Sequence, residues 1–520
     1  MRFNTVLVIF LISIEQQVGK TARILSIFGF EGPAQYAFVE ALLRGLGERG
    51  HYVTSITNFP QNSELPNLRP IVIKENFNLY EKFKQAASRD IDMDHFNRTG
   101  EIFTIGFQMS ENILGNVMMR NLMKNEKFDL ILMNLLFSES LYGLAQHFDA
   151  PIVGICTIGS SILLDAIFRN PAPLSYVPSV LMTHRYDENM NFWERCLNVA
   201  LFVLGNLYYD LEVLPVNREY YKLRFPNSTR SIEEIKRNIS LVLLNDHHVI
   251  STPKPYLPNM IEVAGLHIPE AFEPLPPHIV AMLNKTGTKG FIYVAMKTHF
   301  PDDVMQGILN QFGMLEQLVL WNTIEYPSPL WRIPTNVYFF TNLSHHAILE
   351  HPNCKLLVSH GSYFSVIESI HYGLPILGLK SVYFQTGELF YFISKITAGI
   401  SLKIGPKSLR DNEIYKAALE LVENDIYLKK AKMKSFQFRD RQNTPMQTAI
   451  YWIEYTLRHR GAPHLRHLGH NLNSWEFNNA DVYLFIFLGL MVVFRIFNIF
   501  LNFSIKLVKH MCCKQKYKIA

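Results

Sequence analysis

Short apolar runs alternate along this chain with stretches in which apolar positions recur every three to four residues, and the alternation continues through both halves. Strand-length runs followed by helical periodicity predict βαβ units and parallel sheets. In the first half, Arg23 to Phe28 reads as a strand, Ala37 to Gly47 as a helix and Tyr52 to Ile56 as the next strand. Further on, Phe128-Asp129 leads into an apolar run from Leu130 to Met133, a loop opens at Asn134, a helix runs through Ala145, and Pro151 to Cys156 forms another strand. In the second half, Gly290 to Met296, Val337 to Phe340, Lys355 to Ser359 and Ile376 to Leu379 read as buried strands with helices between them. The proline-rich stretch Pro253 to Pro277 is the natural linker. The expected fold class is α/β, with an N-terminal domain over residues 21–268 and a C-terminal domain over 269–465. Two such domains facing one another form a cleft at the carboxyl ends of their strands, where ligands of open α/β sheets bind.

Two apolar segments fall outside this alternation. Thr5 to Ile14, behind Arg2, has the length of a signal-peptide core and is too short to span a bilayer, so residues 1–20 are read as a signal peptide. Val482 to Ser504 is long enough to cross the hydrocarbon core as a helix, after a lumenal stalk over 466–481. Lys506, Lys509, Lys514, Lys516 and Lys518 follow it in the tail 505–520 and assign that end to the cytosol, making a type I topology. Arg495, Asn498 and Asn502 share one face of that helix, with the Arg expected to snorkel toward the cytosolic side. Lys516 and Lys518, third and fifth from the carboxyl end, resemble a dilysine signal that returns membrane proteins to the endoplasmic reticulum.

Composition narrows the partners. A chain of 520 residues, 48% hydrophobic, buries two ordinary cores, and a net charge of +5 with much of it in the tail argues against a nucleic-acid surface. Cys512 and Cys513 lie beside the membrane on the cytosolic side, leaving Cys156, Cys196 and Cys354 in the lumen, too few for a disulfide framework. Sequons at Asn97, Asn227, Asn238 and Asn284 suit lumenal exposure, and a fifth stands at Asn342.

The densest chemistry lies between Lys355 and Pro375. A buried strand ends at Ser359, a tight turn follows at His360-Gly361-Ser362, and a helix runs to Tyr372 until Gly373 and Pro375 stop it. A strand feeding a helix N-terminus through small residues is an anion site, because free N–H groups and the helix dipole point outward. Glu368, two turns into the helix, is placed to accept from a ribose diol. This run, with Ile348-Leu349-Glu350-His351-Pro352 before it, resembles the signature region of UDP-glycosyltransferases. Asn170 to Pro178, Pro258 to His267, Ile450 to Tyr455 and Arg460 to Arg466 are similar to segments of insect-type members.

The resemblance implies two Rossmann-like domains of GT-B type, a UDP-sugar as co-substrate, no metal or other cofactor, a small lipophilic acceptor, and transfer of a hexosyl group with inversion in the lumen. Membrane lipid and family members, as homo- or hetero-oligomers, are the other expected partners. By the resemblance His360 contacts the donor phosphates, Gly361 and Ser362 offer backbone N–H groups, Ser365 approaches a phosphate, and Glu368 holds the ribose. Thr298, beside Lys297 in the turn after the strand Phe291 to Met296, belongs to the same donor set. Gln385 matches the glutamine that grips the sugar hydroxyls, while Phe384 replaces the aspartate beside it; Asn342, Ser344 and His345 replace a uracil-stacking Trp, a Pro and a Gln. In the acceptor half the family carries a catalytic His after the first strand and an Asp that orients it; Gln35 and Asn134 stand at those positions. An amide has no useful basicity, and loss of a general base removes about two to four orders of magnitude in rate. Glu31, in the same loop, is an alternative base. Two functions therefore compete: a hexosyltransferase, and a non-catalytic member that binds hydrophobic ligands or partners an active homologue.

Overall fold

The computed structural model describes residues 21–60, 65–88, 95–136, 139–160, 162–171, 173–178, 189–251, 253–296, 300–323, 327–341, 343–381 and 398–516. Residues up to Leu465 form one compact unit and Arg466–Ala520 a second.

The first unit holds two sheets. Strands β1 (Arg23–Phe28), β2 (Tyr52–Thr57), β3 (Leu68–Val72), β4 (Leu130–Asn134), β5 (Ile152–Cys156), β6 (Leu241–Leu244) and β7 (Met260–Glu262) form a 7-stranded sheet in the order β3-β2-β1-β4-β5-β6-β7. Strands β8 (Phe291–Val294), β9 (Leu318–Thr323), β10 (Val337–Thr341), β11 (Cys354–Ser359), β12 (Ile376–Ser381) and β13 (Gly399–Ile404) form a 6-stranded sheet in the order β10-β9-β8-β11-β12-β13. Neighbouring strands are parallel throughout. Helices cover both faces, so the central strands are apolar at nearly every position: β4 buries Leu130 to Met133 and β8 buries Phe291 to Val294. The expected α/β class is the observed one.

Each sheet reverses its strand order once, and these reversals fix where ligands can enter. β1 lies between β2 and β4, in register from Ile24 opposite Leu130 to Ile27 opposite Met133, so the loops after β1 and β4 leave the sheet side by side. In the second sheet β8 lies between β9 and β11, which brings out the turn after Ser359 at the corresponding place.

The proline-rich linker is more ordered than its composition suggests. Met260–Glu262 pairs with β6 as the last strand of the first sheet, where an edge position needs hydrogen bonds on one side only. The helix Pro445–Arg458, although it follows the second sheet in sequence, packs on the first: Ala449, Ile450 and Ile453 are buried with Phe38, Leu42 and Leu46 of the helix Pro33–Glu48. Gly45 permits the close approach, since a side chain there would collide with Met446 and Ile450.

The second unit carries the long helix Ala480–Lys516. Its segment Ala480–Leu507, 28 residues whose most apolar window has a mean hydropathy of 2.5 and is wholly unburied, has the length and composition of a membrane span. A stretch that the sequence reading left unassigned, Phe192–Arg224, also qualifies by length and hydropathy and leaves Phe192, Leu197, Val203, Leu207 and Leu211 exposed, with Trp193 77% exposed.

Candidate functional site

The turn after β11 leads into a capped helix, as its residues predict, but the Gly361 N–H, expected to be offered to the donor, is taken up inside the turn. Gly361 sits at φ +75°, a left-handed conformation that a side chain disfavours. Its N–H donates to Ser359 Oγ at 3.0 Å, so this amide is engaged within the turn. Ser362 caps the helix Tyr363–Tyr372: its Oγ accepts from Ser365 N at 3.2 Å and lies 2.9 Å from Ser365 Oγ. Gly373 closes the helix at φ +67°. Burial lowers the His360 pKa to about 4, so the ring is neutral at neutral pH.

Glu368 is the charge centre of this half. Its carboxylate is buried between two imidazoles, with His345 Nε2 at 3.0 Å from Oε2 and His267 Nε2 at 3.6 Å from Oε1. Tyr293, itself fully buried, holds His345 from behind through a 2.8 Å contact from its hydroxyl to Nδ1, and Asn322 Nδ2 donates to the same hydroxyl at 3.1 Å. The donor sense along this chain gives His345 an Nε2–H directed at Glu368. Burial alone would raise the Glu368 pKa, but attraction to His345, the hydrogen bond from its ring and the close approach of His267 together outweigh it and hold the carboxyl well below the ordinary range. His267 makes no hydrogen bond of its own among the described residues although both ring nitrogens are buried. The family resemblance assigned His345 and Glu368 separately to the donor side; their direct contact, and the approach of His267, arise only from folding.

In the other half the two amides behave differently from one another. Gln35 turns back on its own helix, its Oε1 accepting from Gly32 N at 2.7 Å to cap the N-terminus. Asn134 reaches across to the neighbouring loop, where its Nδ2 donates to Glu31 Oε1 at 2.7 Å while its Oδ1 accepts from Leu136 N at 2.8 Å. Glu31 is 2% exposed and takes a further bond from Phe30 N at 3.1 Å. Burial, opposed in part by the Asn134 and backbone hydrogen bonds, raises its pKa to about 7.

Aromatic contacts bring the two halves together at this point. Phe38, one turn beyond Gln35, lies 6.4 Å edge-on from Phe364 in the first turn of the donor helix, and His267 lies 5.0 Å from the same ring. Tyr363 Oη donates to Asp246, beyond β6, at 3.3 Å. Beside the loop after β4, a small cavity of about 30 Å³, room for about one water, is lined by Leu135, Leu136, Leu163 and Ile167, with Glu139, Tyr209 and Lys236 as its polar wall. Lys236 Nζ lies 3.2 Å from Glu139 and 3.0 Å from the Tyr209 hydroxyl, at the start of a π-helical turn, Tyr209–Val213.

Thr298, Asn342, Phe384 and Gln385, with Lys297, lie outside the described residues. Asn227, Asn238 and Asn284 are exposed, and Asn97 falls in the helix His95–Gly115. Cys156, Cys196 and Cys354 are free thiols, two of them buried. Among the described residues no group of three or more His, Cys, Asp or Glu is arranged to hold a metal ion.

Comparison with known proteins bears on this geometry. The family described as UDP-glucoronosyl and UDP-glucosyl transferase matches residues 54–517. The chain is 28% identical to UDP-glucosyltransferase 2 of Dactylopius coccus over 97% of its own length and 96% of the relative's. It is 24% identical to a 2-hydroxyacylsphingosine 1-beta-galactosyltransferase of Homo sapiens, over 96% of this chain and 92% of that one. Among solved structures, the calicheamicin glycosyltransferase CalG4 superposes with a TM-score of 0.57 at 14% identity, covering 84% of this chain and 99% of its own. A UDP-glucosyltransferase from Polygonum tinctorium gives 0.55 at 10% identity, over 85% and 99%. Two parallel sheets joined in this way are the GT-B fold, and the chain belongs to the UDP-glucuronosyl and UDP-glucosyl transferase family.

Proposed function

We propose that this protein transfers a hexosyl group from a UDP-sugar to a small lipophilic acceptor, with inversion, in the lumen of the endoplasmic reticulum, held there by the helix Ala480–Lys516 and the dilysine-like tail. The observation that carries the donor side is the buried Glu368 carboxylate between His345 and His267, two turns beyond the capped N-terminus of the helix Tyr363–Tyr372. A diphosphate at that N-terminus is favoured by the helix dipole, and an ionised carboxylate deeper along the helix is a strong acceptor for a ribose diol. The acceptor reading rests on the names of the relatives, which include glucosyl- and galactosyltransferases.

A second reading, a non-catalytic member that binds hydrophobic ligands or partners an active homologue, is favoured by one observation: the residue at the family's base position, Gln35, spends its side chain on a helix cap. Calorimetry of UDP and several UDP-sugars with the detergent-solubilised full chain, beside Glu368→Ala, separates the possibilities when paired with a transfer assay. Micromolar binding weakened at least tenfold in the variant, together with transfer to phenolic acceptors, is the expected result. Binding without transfer favours the second reading, and no binding at millimolar nucleotide overturns both donor assignments.

A further inference from the structure

We propose that Glu31 is the general base of the sugar transfer and that Asn134 is its positioning partner, a carboxylate–amide pair in the place where the family has a histidine and a carboxylate. The proposal rests on the transferase reading given above. Its first support is geometric. β1 and β4 are adjacent and parallel, so the loops that follow them meet, and the 2.7 Å bond from Asn134 Nδ2 to Glu31 Oε1 joins residues 103 positions apart at the switch point of the sheet.

The second support is the mutual dependence of the two residue types. An amide at 134 can donate to a carboxylate; an aspartate there cannot, and would bring two negative groups within hydrogen-bond distance. The bond from Leu136 N to Asn134 Oδ1 fixes which end of the amide is presented, so the donor end faces Glu31. Asparagine at the orienting position is thus the residue that a glutamate base requires, while Gln35, turned to Gly32, takes no part.

The third support is the setting of the carboxylate. The groups that feel its charge are Tyr36 on the helix Pro33–Glu48, Tyr80 on the helix Glu75–Ser88, and Cys156 on β5, and all three have pKa values raised by burial. They are neutral at physiological pH, so the elevation of Glu31 to about 7 comes chiefly from burial, and it titrates in the range where a base is most effective.

In the transfer, the acceptor O–H gives its proton to the Glu31 carboxylate while the acceptor oxygen forms a bond to the anomeric carbon. The bond from that carbon to the β-phosphate oxygen breaks, and its electron pair leaves with UDP. The product is the inverted glycoside, and Glu31 returns the proton to solvent.

The test uses the full chain in detergent with UDP-glucose and two acceptors, 1-naphthol and 4-nitrothiophenol, the second already ionised at pH 8. For Glu31→Gln the expected result is a fall in kcat of about two to four orders of magnitude with the phenol, with UDP affinity unchanged. The limb near pH 7 in kcat/KM should disappear, and the thiol rate should fall less than tenfold. Glu31→Asp should restore part of the phenol rate, and Asn134→Asp should move the limb to higher pH. A phenol rate within threefold of the parent, or a pH limb that survives in Glu31→Gln, overturns the assignment. Intact UDP binding in those variants leaves the donor reading standing, whereas a parent that binds UDP but transfers to neither acceptor overturns the transferase reading and this one with it.

Discussion

Replacing Glu31 by Gln should change how the stability of the protein depends on pH, whether or not any sugar is transferred. The carboxyl titrates at about 7 in the folded chain against 4.5 when exposed. A group whose folded pKa lies above its unfolded one contributes most below the unfolded value, and that contribution is lost as pH rises through the folded value. For Glu31 the loss therefore runs from about pH 4.5 to about pH 7. At about 1.4 kcal/mol per pH unit, the interval between the two values corresponds to about 3 kcal/mol. Glutamine does not titrate. It keeps the acceptor for Asn134 but sets an amide against Phe30 N–H, a constant offset of about 1 kcal/mol. Urea unfolding of parent and variant, followed by tryptophan fluorescence from pH 4.5 to 8, should give stability differences that drift by about 3 kcal/mol in favour of the variant toward high pH. Two curves that stay parallel across the range would refute a buried, late-titrating Glu31.

Two further outcomes follow from the same site and its supports. Lys254 Nζ lies 2.6 Å from Asp165, with both side chains nearly inaccessible, so Lys254→Met strands a buried carboxylate; a loss of about 3–5 kcal/mol in chemical denaturation is expected, largely recovered by adding Asp165→Asn. Gly361→Ala should strain the turn at φ +75° by about 1–2 kcal/mol, seen as a lower Tm and weaker UDP binding by calorimetry, while Ser359→Ala, which removes only the hydroxyl bond to Gly361, should weaken binding less.

The central strands and the donor turn were legible in the sequence because their physics is local. β1, β4, β5, β8, β11 and β12 are buried along most of their length and read as mainly apolar runs. Likewise His360-Gly361-Ser362 announces a tight turn into a capped helix. The strands that escaped detection were mostly edge elements. Leu68–Val72 carries Arg69 and Pro70 because an outer strand tolerates both, and Met260–Glu262 sits among prolines at the opposite edge. Two internal strands were also missed: Leu241–Leu244 is too short a run to distinguish from a helix by periodicity, and so is the apolar part of Leu318–Thr323, Leu318 to Trp321. At the site, Gln35 and Asn134 were located by position, yet their contrasting roles depend on which partner each finds after folding. The same holds for His267, whose approach to Glu368 joins the linker itself to the donor helix.

The return of the helix Pro445–Arg458 to the first sheet has a mechanical meaning. With Ala449, Ile450 and Ile453 buried against Phe38, Leu42 and Leu46, and Glu454 within 3.5 Å of His51, the chain crosses between its halves once in the linker and again before this helix. The halves are thus tethered like a hinge with two pins. A protease that cuts the exposed prolines after Ile268 would leave fragments that still migrate together under native conditions and part only in denaturant.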